Sequence, residues 1–549
     1  MKKNDSLDQS SQTPGFWVCT GLLALLFTSI ASRDITRPFY GLHSWAQASG
    51  AWVARSHVKY GLGYTKGLST WAVGDPPPKN PTRYLDHPQL GGLLSGMAMA
   101  IFGINEWAPR VVAIITGIGS LILFLKILRG LLDEKTALLA GLILVLFPLN
   151  GYFGMGGWLA LFSFLAIWCY LVLIRALKDG PPPSAMHKYG LAVSLFLMLQ
   201  LSWAGFFYAF TIGSHYILFH CIRRKQLPEK SMLAVLIIAP LLSFAITLAI
   251  MASGYDWDIN KIVELYKWRS AKGEFEKVME KFDWGKWRAT LWQFAVTNFT
   301  TPVLITAILY MTFGQLMVFA APGSKDNQQK PSRRFPQLWL FLIPGISLLL
   351  AFRGLVWKHQ YWQRPLAPFI AIAAALGVML LADILKKVHR GLSVACIVVV
   401  IGLFSVFCAI GTNYYYAIRW QAPEKIRMFK MLNQKIPPDK ALLSYEHLMV
   451  NQHGSKGGFY RPEIAWYLDR DIVQAKSWAQ IQKYAQTGRY PYYLVPYVDQ
   501  LSPLVGQLQK RYKFQYIPGS PGERTDDNKF LKAGMMAYMI FDLTSKASD

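Results

Sequence analysis

Between its first apolar run and the next, the chain carries a polar loop of roughly sixty residues, Arg33 to Leu90, rich in Trp, Tyr, Arg, Lys and His. Its carboxylates are Asp34, Asp75 and Asp86. Helices that only need to cross a bilayer are joined by short turns, so a long polar loop points to chemistry or binding at the membrane surface. A carboxylate held there is costly enough to need a reason. One reason is general-base work, since a carboxylate within hydrogen-bond reach can take the proton of an attacking hydroxyl. The plainer reasons are an ion pair of Asp34 with Arg33 or Arg37, and a helix cap from Asp86 ahead of Pro88. Asp75, in Gly74-Asp75-Pro76-Pro77-Pro78, reads as turn chemistry.

The elements that must hold this loop are apolar helices. Over 549 residues only 16 % are charged, and the apolar residues gather in runs: Gly15 to Ser32, Val111 to Leu125, Leu233 to Ala252, Ile343 to Phe352 and Val394 to Ile410. Such runs suit helices in hydrocarbon and predict a polytopic α-helical membrane protein of about 11–13 spans. The net charge of +26 has no zinc-finger, RNP-like or helix-turn-helix motif beside it, which argues against nucleic acid as a partner. Lys and Arg instead cluster between apolar runs, where they orient spans and meet lipid head groups. Cys19, Cys169, Cys221, Cys396 and Cys408 lie in or beside apolar runs without a CxxC pair, and the ten His lack ligand spacing. No metal or other cofactor is expected.

Arg223-Arg224-Lys225, the loop Gly323 to Arg334, and Lys386-Lys387 with Arg390 mark the inside by their positive charge. The first helix then runs outward from a short cytoplasmic tail, 1–15, and residues 16–412 form the membrane-embedded part. Its outer segments are the first loop, 33–87, and 252–290, whose Trp, Phe, Lys and Glu at helical spacing fit a helix lying in the interface. The run Pro88 to Ile104 has the wrong parity for a simple span. It reads either as a shallow or re-entrant helix or as a sign that a later pair is miscounted. From 413 to 549 the apolar runs shorten to strand length (Ala441 to Tyr445, Tyr492 to Pro496, Ala537 to Phe541). They alternate with helical stretches Glu424 to Gln434, Trp478 to Gln486 and Leu504 to Tyr512, which predicts an outer α/β domain.

Three segments, taken in order, carry a family resemblance. They are Arg37-Pro38-Phe39-Tyr40-Gly41-Leu42-His43-Ser44-Trp45-Ala46-Gln47-Ala48; Tyr84-Leu85-Asp86-His87-Pro88-Gln89-Leu90, leading to Phe102-Gly103-Ile104-Asn105-Glu106; and Trp357-Lys358-His359-Gln360-Tyr361-Trp362-Gln363-Arg364-Pro365. With an α/β domain at the end, the chain resembles the GT-C glycosyltransferases, in the branch holding protein O-mannosyltransferases and the lipid A aminoarabinose transferase. The resemblance implies an inverting enzyme that moves a sugar from a polyprenyl-phosphate carrier to an acceptor on the outer face of the cytoplasmic membrane. An acidic residue of the first outer loop would be the base, and basic residues with a His would hold the leaving phosphate.

The chain departs from that pattern at His43 to Gln47, where relatives place an Asp or Glu and this sequence has none. Asp34 and Asp86 are the available bases, and His43 and Gln47 are carried as substrate-loop residues. Arg55, Lys66, His87, His359 and Arg364 are the candidates for the donor phosphate. His359 also fits a hydrogen-bonded structural residue, and Arg364 a snorkelling anchor. Two alternatives stay open: a non-catalytic scaffold of the same fold, and a lipid or polysaccharide transporter. Against transport, the chain has no GxxxxGK[ST] motif and no internal repeat. The partners expected are a polyprenyl-phosphate-linked sugar, membrane lipids and an acceptor of lipid, glycan or protein class.

Overall fold

In hydrocarbon no water takes an unpaired N–H or C=O, so apolar runs must close their own hydrogen bonds as helices. A computed structural model of the chain shows that outcome. It describes residues 13–85, 87–179, 184–223, 225, 227–269, 282–314, 335–418, 423–445, 448–449, 459–460, 462–496, 502–518 and 536–546. Asp86, most of the N-terminal tail and the middle of the 252–290 loop lie outside the described residues.

Among the described residues, six helices are long and apolar enough to cross a membrane: Pro14–Ala31, Ala108–Leu131, Gly157–Leu177, Lys230–Gly254, Gln360–Lys386 and Arg390–Ala417. A seventh candidate is the pair Trp284–Phe299 and Thr301–Gly314, bent by 105°. The number is below the 11 to 13 expected because other apolar helices are short; Glu134–Leu146 and Leu90–Phe102 have 13 residues each. At 1.5 Å per residue such a helix spans about 20 Å, less than the ~30 Å hydrocarbon core. The run with the wrong parity is therefore a short helix. The protein is a polytopic α-helical membrane protein with a C-terminal sheet-containing domain.

The chain divides into two compact units. The first comprises Met1–Ile35, Asp86–Gly91 and Arg110–Tyr415. Its core is aromatic and aliphatic: Phe27, Phe124 and Phe341 are fully buried, and Phe124 meets the edge of Phe341 at 5.9 Å. Many hydroxyls inside the helices fold back on their own backbone, as Ser120 does to Thr116 O at 2.7 Å, though the buried Ser194 Oγ and Thr247 Oγ1 have no partner. Leu22 and Leu25, Ile237 and Ile238, and Val398 and Val399 face outward, where lipid covers them.

The second unit comprises Thr36–Leu85, Gly92–Pro109 and Tyr416–Asp549. Contacts thus group the first loop with the C-terminal segment, whereas the linear reading placed it with the helices. Loop helix Ser44–Thr65 packs on the short helix Pro462–Leu468, every described side chain of which is buried. The sheet runs in the order Ile472–Gln474, Leu442–Ser444, Tyr492–Pro496, Met536–Lys546, Tyr512–Pro518. The first three strands are parallel and the last two antiparallel. Leu442 to Ser444 are wholly buried, as a central parallel strand requires.

Candidate active site

The first unit holds a cavity of about 250 Å³. Leu144, Leu159, Phe164 and Leu348 give it apolar walls; His87, Asn150, Ser202, Tyr208, Tyr361 and Arg364 bring polar groups to it.

Arg364 sits on a 3-10 turn, Gln360–Leu366, just ahead of the helix Ala367–Lys386. A buried amide network holds that turn. Asn298 Nδ2 donates to Gln360 O and to Gln363 Oε1, each at 2.9 Å. Gln363 Nε2 donates to Leu291 O at 2.7 Å, and Tyr415 Oη donates to Asn298 Oδ1 at 2.6 Å. His359 stacks on Tyr361, with centroids 5.4 Å apart and planes at 6°. Opposite, Gly156 has φ +93°, and a Cβ built on it would stand 3.1 Å from Arg364 Cδ. Only a glycine allows this chain direction and leaves the arginine stem its room.

The guanidinium lies 5.9 Å from the ring of Phe153, and its Nε is buried without a hydrogen-bond partner. No carboxylate pairs with it among the described residues. A half-buried cation with no counter-ion among the described residues makes the cavity receptive to an anion. Among the described residues no group of three or more His, Cys, Asp or Glu is placed to hold a metal ion.

Of the sequence candidates, the cavity brings together His87 and Arg364, with His359 on the approach to the same turn. Asp34 is exposed, has φ 54° and makes no ion pair among the described residues. Its neighbours are held: Arg33 donates to Asn413 Oδ1, and Arg110 to Ile35 O at 2.7 Å. Ile30, one turn earlier, packs on Gly151, next to the cavity residue Asn150. Asp86 lies outside the described residues.

Arg55, Lys66, His43 and Gln47 belong to the second unit. Arg55 donates to Trp466 O at 2.6 Å and Ala465 O at 2.9 Å, and lies 3.3 Å from Asp469. Its guanidinium is thus occupied by protein. Lys66 is exposed and ends its helix with φ 54°. His43 is buried with φ 53° at the start of that helix, and Gln47 is half-buried one turn on. Beside them Ser44 Oγ donates to Glu463 Oε1 at 2.7 Å, and both residues are buried. The stretch that lacks a carboxylate in sequence therefore receives one from 419 residues away. Nothing local announces Glu463. Asn150, Ser202 and Tyr208 likewise carry no local signal, whereas Tyr361 and Arg364 stand in a quoted motif.

The model of the dolichyl-phosphate-mannose-protein mannosyltransferase family matches residues 86–249, which include His87, Asn150 and Tyr208. No curated protein matches the chain by sequence. The structure of ArnT from Cupriavidus metallidurans bound to undecaprenyl phosphate is similar, with a TM-score of 0.57 and 11 % identity, over 96 % of this chain and 98 % of that one. The archaeal oligosaccharyltransferase AglB from Archaeoglobus fulgidus, in complex with an inhibitory peptide and a dolichol-phosphate, gives 0.54 and 12 % over 95 % and 74 %. The chain has the fold of the GT-C membrane glycosyltransferases. Within that class its likeness is to the ArnT and protein O-mannosyltransferase type.

Proposed function

We propose that the chain is an inverting glycosyltransferase that takes its sugar from a polyprenyl-phosphate carrier. The observation that carries this reading is the uncompensated Arg364 guanidinium in a cavity with apolar walls, on a fold whose solved relatives were captured with undecaprenyl phosphate and dolichol-phosphate. A phosphate on a hydrocarbon tail answers both halves of that cavity.

In the reaction an acceptor hydroxyl oxygen bonds to C1 of the sugar while the bond from C1 to the phosphate oxygen breaks. The electron pair leaves with the lipid phosphate, and the hydroxyl proton passes to a carboxylate. Arg364 and His87 stabilise the negative charge on the leaving group. Asp34 and Asp86 are the carboxylates proposed for the proton, and the acceptor is a lipid, glycan or protein. By the positive-inside reading, the site and the C-terminal domain face out of the cytoplasmic membrane.

The test is donor turnover in nanodiscs with a panel of radiolabelled polyprenyl-phosphate sugars. Release of free lipid phosphate with transfer of sugar supports the reading. A loss of roughly a hundredfold or more in Asp34→Asn or Asp86→Asn identifies the base. Donor binding without turnover by the unaltered chain would favour a non-catalytic scaffold, the reading that the acid-free stretch His43 to Gln47 supports.

A further inference from the structure

Asn298 is the penultimate residue of the helix Trp284–Phe299, two positions before Thr300, where the 105° bend falls. It is fully buried, in a place where composition would favour an apolar side chain. Its amide is saturated: both donated bonds go to the turn Gln360–Leu366, and the accepted one comes from Tyr415 Oη. Gln363, 2 % exposed, completes the clamp by donating to Leu291 O on the same helix as Asn298. Arg364 is the next residue. Its own guanidinium makes no ion pair among the described residues and its Nε no hydrogen bond, so the backbone of the turn must aim it.

We infer that Asn298 is a positioning residue for the phosphate site: with Gln363 it fixes the turn so that Arg364 faces the cavity. The inference rests on the proposed reading that the cavity takes a lipid-linked phosphate. A long flexible cation without an ion pair would otherwise spread over several rotamers and lose much of its grip on an anion. A network this satisfied specifies one geometry, and breaking it leaves buried amide groups unpaired.

The probes are undecaprenyl phosphate and uncharged undecaprenol, bound to the full chain in detergent and read by native mass spectrometry. The useful quantity is the ratio of the two affinities. Loosening of the apolar walls weakens both ligands alike, whereas misplacement of Arg364 weakens the phosphate alone. Asn298→Asp keeps the volume and the bond from Tyr415 but turns two donors into acceptors that face Gln360 O and Gln363 Oε1. It should lower the ratio by roughly 10- to 100-fold, the worth of one charge-assisted hydrogen bond. Gln363→Leu attacks the clamp from the other side and should do the same, which guards against one variant failing to fold. Tyr415→Phe, which removes the bond to Asn298 Oδ1 and the hydroxyl's contact with the Gln360 side chain but leaves both Asn298 donors in place, should have a smaller effect. If Arg364→Gln lowers the ratio and neither clamp variant does, Asn298 is structural only and the inference falls. If the unaltered chain does not prefer the phosphate to the alcohol, the functional reading falls with it.

Discussion

Arg364→Gln separates function from stability. The native guanidinium has an unpaired Nε and, for company, the ring of Phe153 at 5.9 Å. Removing it breaks no ion pair among the described residues and lifts an uncompensated charge out of a confined site, so the fold should lose nothing and can gain. Turnover should suffer. A group aimed at charge that develops on a leaving phosphate is worth about 2.7–4 kcal/mol, or ~10²–10³ in rate. The assay pairs donor turnover with thermal unfolding in the same detergent. The expected result is a loss of roughly a hundredfold or more, with a midpoint that is unchanged or higher. Turnover within about threefold of the unaltered chain, or a midpoint that falls by several degrees, would refute the reasoning, because the arginine would then be a strut.

Other consequences follow from the same geometry. Gly156→Ala should cost about 1–3 kcal/mol, because φ +93° strains any Cβ and that atom would stand 3.1 Å from Arg364 Cδ; unfolding midpoint and phosphate binding should drop together. Arg55→Lys should destabilise the second unit by about 2–4 kcal/mol, since an ammonium cannot span the two carbonyls and Asp469 at once. Limited proteolysis of the C-terminal segment reads that loss. Burial, aided by Arg83, holds His57 down from 6.5 to about 4. Between those values the unfolded chain binds a proton that the folded chain refuses. Stability should therefore fall as pH drops from 6.5 toward 4, by at most about 3 kcal/mol. His57→Asn should flatten that slope in unfolding scans run from pH 7 to pH 4.5.

Much of the C-terminal domain could be read from local pattern. Tyr492 to Pro496 is the strand expected from its run of β-formers, and the helices Pro423–Lys435 and Trp478–Ala485 begin within a residue of where their periodicity begins. The strands Ile472–Gln474 and Tyr512–Pro518 were missed; the first has three residues and the second carries alternate polar positions at a sheet edge. The span number was harder to read, because hydropathy does not separate a crossing helix from a buried 13-residue one. At the site, residue type alone could not tell a cation aimed at a ligand from one already consumed. Arg55 and Arg364 looked alike as candidates, yet the backbone carbonyls that occupy Arg55 lie about 410 residues away, at Ala465 and Trp466. Asn298 carried no signal at all, since a lone Asn at a helix end reads as a cap.

Gly156 and Arg364 meet across 208 positions of sequence, and neither tolerates much alteration of the other. ArnT shares this fold at 11 % identity, so little of the sequence has to match for the fold to persist. A mutually constrained pair should erode more slowly, because a side chain gained at one partner has to be answered at the other. Such a pair is a marker to search with. Chains that keep a glycine in the turn before the helix Gly157–Asp179 and an arginine before the Pro that leads into the helix Ala367–Lys386 should keep the cavity too. Chains that have lost both should lack that cavity.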